Sequence, residues 1–163
     1  MATTPSVFVS HRRDDAAVAK SVADRLKLRG LGVYLDVVDP ILVKDGPDLG
    51  EYLRARLGEC SQLLAVVSAA TQGSWWVPWE IGVATEKTYR IATFMTQDVS
   101  TPGYLQKWPY LRTAEDLDVY AELSKRSEAE ILAKAQVPGR VLESLRASAV
   151  SDFHRTLKRA LRQ

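Results

Sequence analysis

The sequence has few of the residues that would indicate a covalent scaffold or a metal centre. Cys60 is the only cysteine among 163 residues, which excludes an internal disulfide and favours a reducing compartment. With only two histidines, His11 and His154, the chain offers too few of the usual ligands for a zinc site. A net charge of +2 is too small to make nucleic acid the main partner. We therefore expect a cytoplasmic protein without a bound metal.

Long apolar runs and common nucleotide-binding motifs are also missing. The longest apolar run, Leu63 to Val67, is far too short to span a bilayer. Residues 1–5 show no basic region followed by an apolar run, so we expect no signal peptide and no membrane partner. There is no glycine-rich phosphate loop and no Gly-x-Ser-x-Gly elbow. The length suits one domain with a single core.

Apolar runs alternate with helical patterns along the first two thirds of the chain. Strands are predicted at residues 7–9, 33–35, 63–67, 91–95 and, as a short fifth strand, within 108–111. The helix after the first strand is predicted to be capped by Asp14 or Asp15 and to end at Gly30 or Gly32. This alternation predicts an α/β fold with a flavodoxin-like, doubly wound parallel sheet of about five strands and flanking helices.

The C-terminal third reads as helical. One helix is predicted over about residues 114–136, a break follows at 137–139, and a final helix carries apolar residues from Leu142 to Leu161. The polar face of that helix is basic, with Arg146, Arg155 and Lys158 among its residues. Such a face is usually just solvated, although it could meet nucleic acid or an acidic partner.

The loop predicted at residues 36–47 is apolar for a loop, with Ile41, Leu42 and Val43 in a row. Exposed apolar residues on a loop indicate a contact surface. The loop could equally fold these side chains back onto the body of the domain.

The stretch from Ser74 to Ala84 contains three of the four tryptophans, followed at once by Glu80. Pro78 suits the first position of a helix, which puts Glu80 in the first turn, where the helix dipole favours an ionised carboxylate. An aromatic wall beside a fixed carboxylate would suit a flat, cationic heterocycle. The plainer interpretation is a dipole-stabilised glutamate with aromatics that fill the core.

Polar side chains follow the predicted strands at the edge of the sheet where ligands bind in such folds. They are Ser10, His11, Arg12 and Arg13 after the first strand, Asp36 after the second, and Trp76 and Glu80 after the third. Each has an ordinary explanation as a loop, turn or solvated residue. Their convergence on one edge is what predicts a site.

Three segments carry a family resemblance. Residues 7–13 resemble the first box of the Toll/interleukin-1 receptor (TIR) domain family, and residues 32–36 resemble its second strand, which precedes the variable BB loop. Residues 74–80 resemble its third-helix signature, in which a tryptophan, here Trp76, precedes a catalytic glutamate, here Glu80, by four residues. The resemblance covers about residues 5–112 and the final helix at 140–162, so that residues 114–139 read as a helical elaboration within a single TIR domain spanning 1–163.

TIR domains are of two kinds, and the glutamate of the third helix marks those that cleave NAD+ between nicotinamide and ribose. The resemblance implies that Glu80 is catalytic, that Trp76 shapes the nicotinamide-ribose pocket, and that Ser10, His11, Arg12, Arg13 and Asp36 line the site. NAD+ is then the substrate, and no separate cofactor is implied. Pro78 and Trp79 depart from the pattern inside the signature.

The chain is similar to compact bacterial TIR proteins of antiphage defence, which make a cyclic ADP-ribose-type messenger for a separate effector protein. Self-association through the region of loop 36–47 is implied as well. Two alternatives stay open: a non-enzymatic interaction domain, either an adaptor or a host-interfering mimic, and an enzyme like a nucleoside deoxyribosyltransferase. The second alternative leaves the first box unexplained.

Overall fold

The computed structural model describes residues 5–37, 55–71, 82, 84–85, 88–96, 99–101 and 103–163, without the side chains of 36, 37 and 104. These residues contain a five-stranded sheet in the order β2-β1-β3-β4-β5, in which every neighbouring pair is parallel. The strands are β1 Ser6–His11, β2 Gly32–Val37, β3 Gln62–Val67, β4 Arg90–Met95 and β5 Tyr110–Leu111. The predicted flavodoxin-like α/β sheet is thereby confirmed.

The sheet is covered on both faces, as a parallel sheet requires. Every residue of β3 is buried. Because side chains alternate across a strand, Leu63 and Ala65 enter one apolar core, whereas Leu64 and Val66 enter the other. The continuous apolar run in the sequence thus reflects a central strand between two layers.

Three helices have described bounds: α1 Ala16–Leu28, α2 Ala114–Ala135 and α3 Leu142–Ala160. The predicted break at residues 137–139 separates the last two, and Gly30, with φ +83°, follows the end of α1. All three helices contribute to the second core. No helix in the described part of the chain is long and apolar enough to cross a membrane.

The start of α2 is held by polar contacts. Thr113 and Asp116 form a capping box. Asp118 then receives paired hydrogen bonds from two arginines of α1, with Nε–Oδ1 distances of 2.7 Å from Arg25 and 2.8 Å from Arg29. The hydrogen bond from Arg25 is the main reason that the pKa of Asp118 falls to about 2. These contacts set the position of α2 against α1.

A buried polar network holds α2 at the amino ends of the central strands. Arg90, which begins β4, forms an ion pair with Glu128 and donates to the Ser124 carbonyl at 3.2 Å. Gln62, which begins β3, accepts hydrogen bonds from Tyr120 at 2.9 Å and from the Ser124 hydroxyl at 2.7 Å. Nothing in the sequence pattern predicted this network, because its members are far apart along the chain.

Two strands extend further at their carboxyl ends than predicted. β1 includes Ser10 and His11, and β2 includes Asp36, all of which the sequence assigned to the segments leaving the strands. Ser10 pairs with Asp36 on one side and with Ala65 on the other, so ladder hydrogen bonds on both sides continue the strand beyond its apolar residues. A prediction from the apolar pattern alone therefore places the end of a strand too early where the strand continues through polar residues.

His154 connects α3 to the sheet. The backbone N–H of Ile91 donates to Nε2 of His154 at 2.9 Å, which requires that nitrogen to be unprotonated. Burial is the main cause that lowers the pKa of His154 to about 4. Three cations add to the effect: Lys158 on α3, Lys107 before β5 and Arg90 on β4.

We expect the free energy of unfolding to fall as the pH drops from about 6.5 to 4. The folded-state pKa of His154 is depressed, so its contribution is complete above the unfolded-state pKa and is lost toward the folded-state value. Each pKa unit corresponds to about 1.4 kcal/mol, which gives a loss on the order of 2–3 kcal/mol. Urea denaturation at several pH values measures it. His154→Gln keeps an acceptor but cannot titrate, so an equally steep decline in that variant would contradict the assignment.

Candidate functional site at the carboxyl ends of β1 and β3

The strand order creates a crevice at the carboxyl ends of β1 and β3. From β1 the chain passes through α1 to β2 on one side, whereas β3 lies on the other side of β1 and leads on to β4. The connections that leave these two neighbouring strands therefore run in opposite directions. Ligands of doubly wound sheets bind outside the carboxyl ends of the strands at such a switch point.

Ser10 and His11 form the end of β1 in this crevice. Both are 2% exposed, and they are followed directly by Arg12 and Arg13. Their position in β1, which pairs with β2 and β3, gives them the fixed backbone of a strand rather than that of a loop. They therefore belong to the floor of the candidate site.

The two arginines differ in their surroundings. Arg12 is half-buried, and its Nη1 donates a hydrogen bond to the carbonyl oxygen of Ala70, beyond the end of β3. Arg13 is exposed in the short 3-10 turn Arg13–Asp15. Arg12 therefore ties two loops together, and Arg13 is the more accessible cation at the rim.

Asp15 is the principal residue that the sequence did not assign to the site. Its carboxylate, 6% exposed, accepts hydrogen bonds from Ser68 Oγ at 2.9 Å and from Thr71 Oγ1 at 3.3 Å. Ser68 Oγ in turn accepts from the N–H of Ala70 at 3.1 Å, and Thr71 Oγ1 accepts from the N–H of Ser68 at 2.9 Å. The loop after β3 is thus fastened to the loop after β1.

The prediction that Asp14 or Asp15 caps α1 is corrected in one respect. Asp15 occupies the N-cap position, but its side chain makes no cap hydrogen bond because it is directed to the hydroxyls beyond β3. The sequence feature that could have indicated this contact is an acidic residue after the first strand together with two hydroxyl residues after the third strand.

The remaining predicted site residues fall at or beyond the limits of the described segments. Asp36 pairs through its backbone with Ser10 in the β2–β1 ladder. Trp76 and Glu80, like most of loop 36–47, lie outside the described residues. The structure therefore brings Ser10, the histidine and arginines that follow it and the Asp36 backbone to one edge of the sheet.

The described part of this edge offers a cationic rim over a polar floor. Arg13 at the rim suits an anionic group such as a phosphate. Among the described residues, no three His, Cys, Asp or Glu side chains come together as a metal site. The arrangement fits a ligand that carries both hydroxyl groups and negative charge.

Comparison with known proteins gives one informative match. A family model described as TIR domain matches residues 7–132, well over half of the chain, and this range includes most of α2. No curated protein sequence matches the chain.

Solved structures supply weaker likenesses. The sugar isomerase domain of an RpiR transcription factor from Sphaerobacter thermophilus is 20% identical with a TM-score of 0.47, over 96% of this chain and 79% of that chain. A diflavin flavoprotein A3 from Nostoc sp. is 13% identical with a TM-score of 0.43, over 96% of each chain.

Asp15→Ala should lower the free energy of unfolding by about 1–3 kcal/mol, because two buried hydroxyls lose their acceptor. Urea denaturation monitored by circular dichroism measures the change. The matched control is Asp14→Ala, which removes the exposed neighbouring carboxylate and should stay within about 0.5 kcal/mol of wild type. Equal stability of the two variants would show that the buried junction contributes nothing.

Proposed function

Because this chain belongs to the TIR domain family, we propose that it cleaves NAD+ at the bond between nicotinamide and ribose. Glu80 is the proposed catalytic residue, and Trp76 shapes the pocket for nicotinamide and its ribose. Ser10, His11, Arg12, Arg13 and Asp36 are proposed to line the rest of the site.

The observation that supports this proposal best is the junction between the loops after β1 and β3. Arg12 bonds to the carbonyl of Ala70, and Asp15 bonds to Ser68 and Thr71. One residue beyond Thr71 begins the segment that contains the tryptophans and Glu80. A catalytic group on that segment needs a fixed starting point beside the ligand, and the junction supplies one.

The chemistry needs only one carboxylate. Hydrolysis of an ordinary glycoside requires an acid to protonate the leaving oxygen. In NAD+ the leaving group is a pyridinium ion, so it takes the electron pair of the broken C1′–N bond and departs as neutral nicotinamide. Positive charge develops on the ribose, and the carboxylate of Glu80, held near the ribose hydroxyls, stabilises it.

The other residues then act in binding. Arg13, exposed at the rim, is suited to pair with the pyrophosphate of NAD+. Arg12, whose Nη1 already donates to Ala70, positions the loop. Ser10 and His11 form the floor on which the ribose end of the substrate rests.

The group that captures the ribosyl cation determines the product. Water gives ADP-ribose and releases a proton. An adenine nitrogen or a ribose hydroxyl of the same molecule gives a cyclic ADP-ribose, and exclusion of water favours this outcome. We propose that the product is a signalling molecule read by a separate effector protein in bacterial antiphage defence.

Glu80→Gln should retain the fold and reduce NAD+ cleavage by a factor on the order of 10² or more, since the neutral amide cannot stabilise the ribosyl charge. Incubation with NAD+ followed by mass spectrometry measures the loss of substrate and identifies linear or cyclic product. The control is Glu59→Gln, an exposed glutamate just before β3 at the opposite end of the strands.

Two outcomes would count against the proposal. Full activity of purified Glu80→Gln would remove the catalytic role of that residue. Intact NAD+ with concentrated, folded wild-type protein would instead favour the non-enzymatic interaction domain, which does not need Glu80.

We also propose that activity requires self-association through the region of loop 36–47. TIR domains commonly associate with one another, and the apolar sequence Ile41-Leu42-Val43 suits a contact between copies. Head-to-tail contacts of this kind do not close on themselves and can extend into filaments.

Ile41→Asp should abolish assembly and activity while the fold is retained, because a charge in an apolar contact is costly. Specific activity is measured as a function of protein concentration, and light scattering reports assembly. Leu28→Asp makes the same kind of change at an 82% exposed leucine at the end of α1 and should behave as wild type. Specific activity that stays constant over about a hundredfold range of wild-type concentration, with monomer throughout, would rule the idea out.

A further inference from the structure

A cleft of about 460 Å³ lies along the outer seam between α2 and α3. Its described lining comes from these two helices and from Arg140 in the turn between them. None of the described residues at the carboxyl ends of β1 and β3 contributes to it. Its volume lies in the range of small-molecule sites.

The charges of the cleft favour an anion at one end. Four basic side chains line it among the described residues, and two of them are paired: Arg126 with Glu130 at 3.2 Å, and Arg155 with Asp152. Those pairs also account for the two carboxylates in the described lining.

The other two basic side chains of the cleft form no ion pair with any described residue. Within the described ranges, Lys134 and Arg140 have no ion-pair or hydrogen-bonding partner for their side chains. Both belong to the end of the seam where the chain turns from α2 into α3.

The same end of the cleft has further hydrogen-bond donors. α3 begins there, its N-cap residue Val141 supplies no side-chain cap, and Ser144 in its first turn lines the cleft. Backbone N–H groups at an uncapped helix start bind anions such as phosphate. Glu143 is also in this turn but is exposed and does not line the cleft.

Ser127 is the second, independent observation that indicates a ligand. It lines the cleft from α2 and is 8% exposed, and its hydroxyl has no hydrogen-bond partner among the described residues. A buried hydroxyl without a partner is destabilising unless something binds to it. Apolar residues complete the floor, namely Leu123, Ile131, Leu145 and Phe153.

From these features we infer that the cleft between α2 and α3 binds a small molecule with a phosphate group and a flat or apolar body. Lys134, Arg140 and the first turn of α3 hold the phosphate. The body lies along the apolar floor and takes a hydrogen bond from Ser127. This site shares no described residue with the proposed NAD+ site, and the inference does not depend on NAD+ cleavage.

The test is a titration of the full chain with inorganic pyrophosphate and, separately, with AMP. Isothermal titration calorimetry gives the affinities, and two-dimensional NMR identifies the amides that shift. We expect shifts centred on residues 127–134 and 140–148. We also expect AMP to bind more tightly than pyrophosphate, because only AMP has a body to cover the floor.

Matched variants separate the site from general attraction to a basic surface. Lys134→Gln with Arg140→Gln should weaken AMP binding at least tenfold, since two charge-assisted contacts are lost. Lys125→Gln with Arg159→Gln removes the same charge from the same two helices outside the cleft and should change the affinity by less than about twofold. Ser127→Ala should weaken AMP binding by about two- to tenfold and leave the fold intact.

Several results would overturn the inference. Equal weakening in the two double variants would indicate non-specific electrostatic attraction. Shifts centred on residues 10–15 would assign AMP to the crevice at β1 and β3. Absence of saturation up to about 10 mM, or binding of AMP no tighter than that of pyrophosphate, would also exclude the proposed site.

Discussion

The buried carboxylate of Asp15 is the interaction on which the organisation of the candidate site depends. It lies at the switch point of the sheet and accepts hydrogen bonds from Ser68 and Thr71, while Arg12 holds Ala70 in the same loop. A buried carboxylate is tolerated only where its hydrogen bonds are made. The loops beyond β1 and β3 are therefore coupled, because a shift of either loop would break the hydrogen bonds that Asp15 and Arg12 make between them.

The carboxyl and amino ends of the strands have different roles in the structure. At the carboxyl ends, Ser10, Arg12 and Asp15 belong to the candidate site, which lies where ligands bind in doubly wound sheets. At the amino ends, Arg90, Glu128 and Gln62 join α2 to the sheet, and His154 joins α3 to it. Breaking a buried ion pair from one side is strongly destabilising, so substitutions at the amino ends affect folding first. Residues at the carboxyl ends can therefore serve binding, because the contacts at the amino ends hold the helices against the sheet.

The seam between α2 and α3 shows how the same helices can have a second use. Their inner faces complete the core with Leu117, Phe153 and Leu157. Their outer faces leave a cleft whose charges are only partly paired. A helix needs only one apolar stripe for stability, so the remaining surface is available for binding without loss of the fold.

The sequence by itself determined the class of fold, the approximate place of every strand, the two C-terminal helices and the family. These features depend on local periodicity and on motifs of a few residues, which are visible along the chain. It also predicted that Ser10, His11, Arg12 and Arg13 would meet at one edge. The roles of Trp76 and Glu80 stay predictions.

Only the tertiary structure decided what Asp15 does, that β1 extends through Ser10 and His11, and that Arg90 is buried beside Glu128. Each of these facts depends on a partner 26 or more residues away. Local pattern does not specify such a partner, because the free energy of a buried polar group is set by what surrounds it in space.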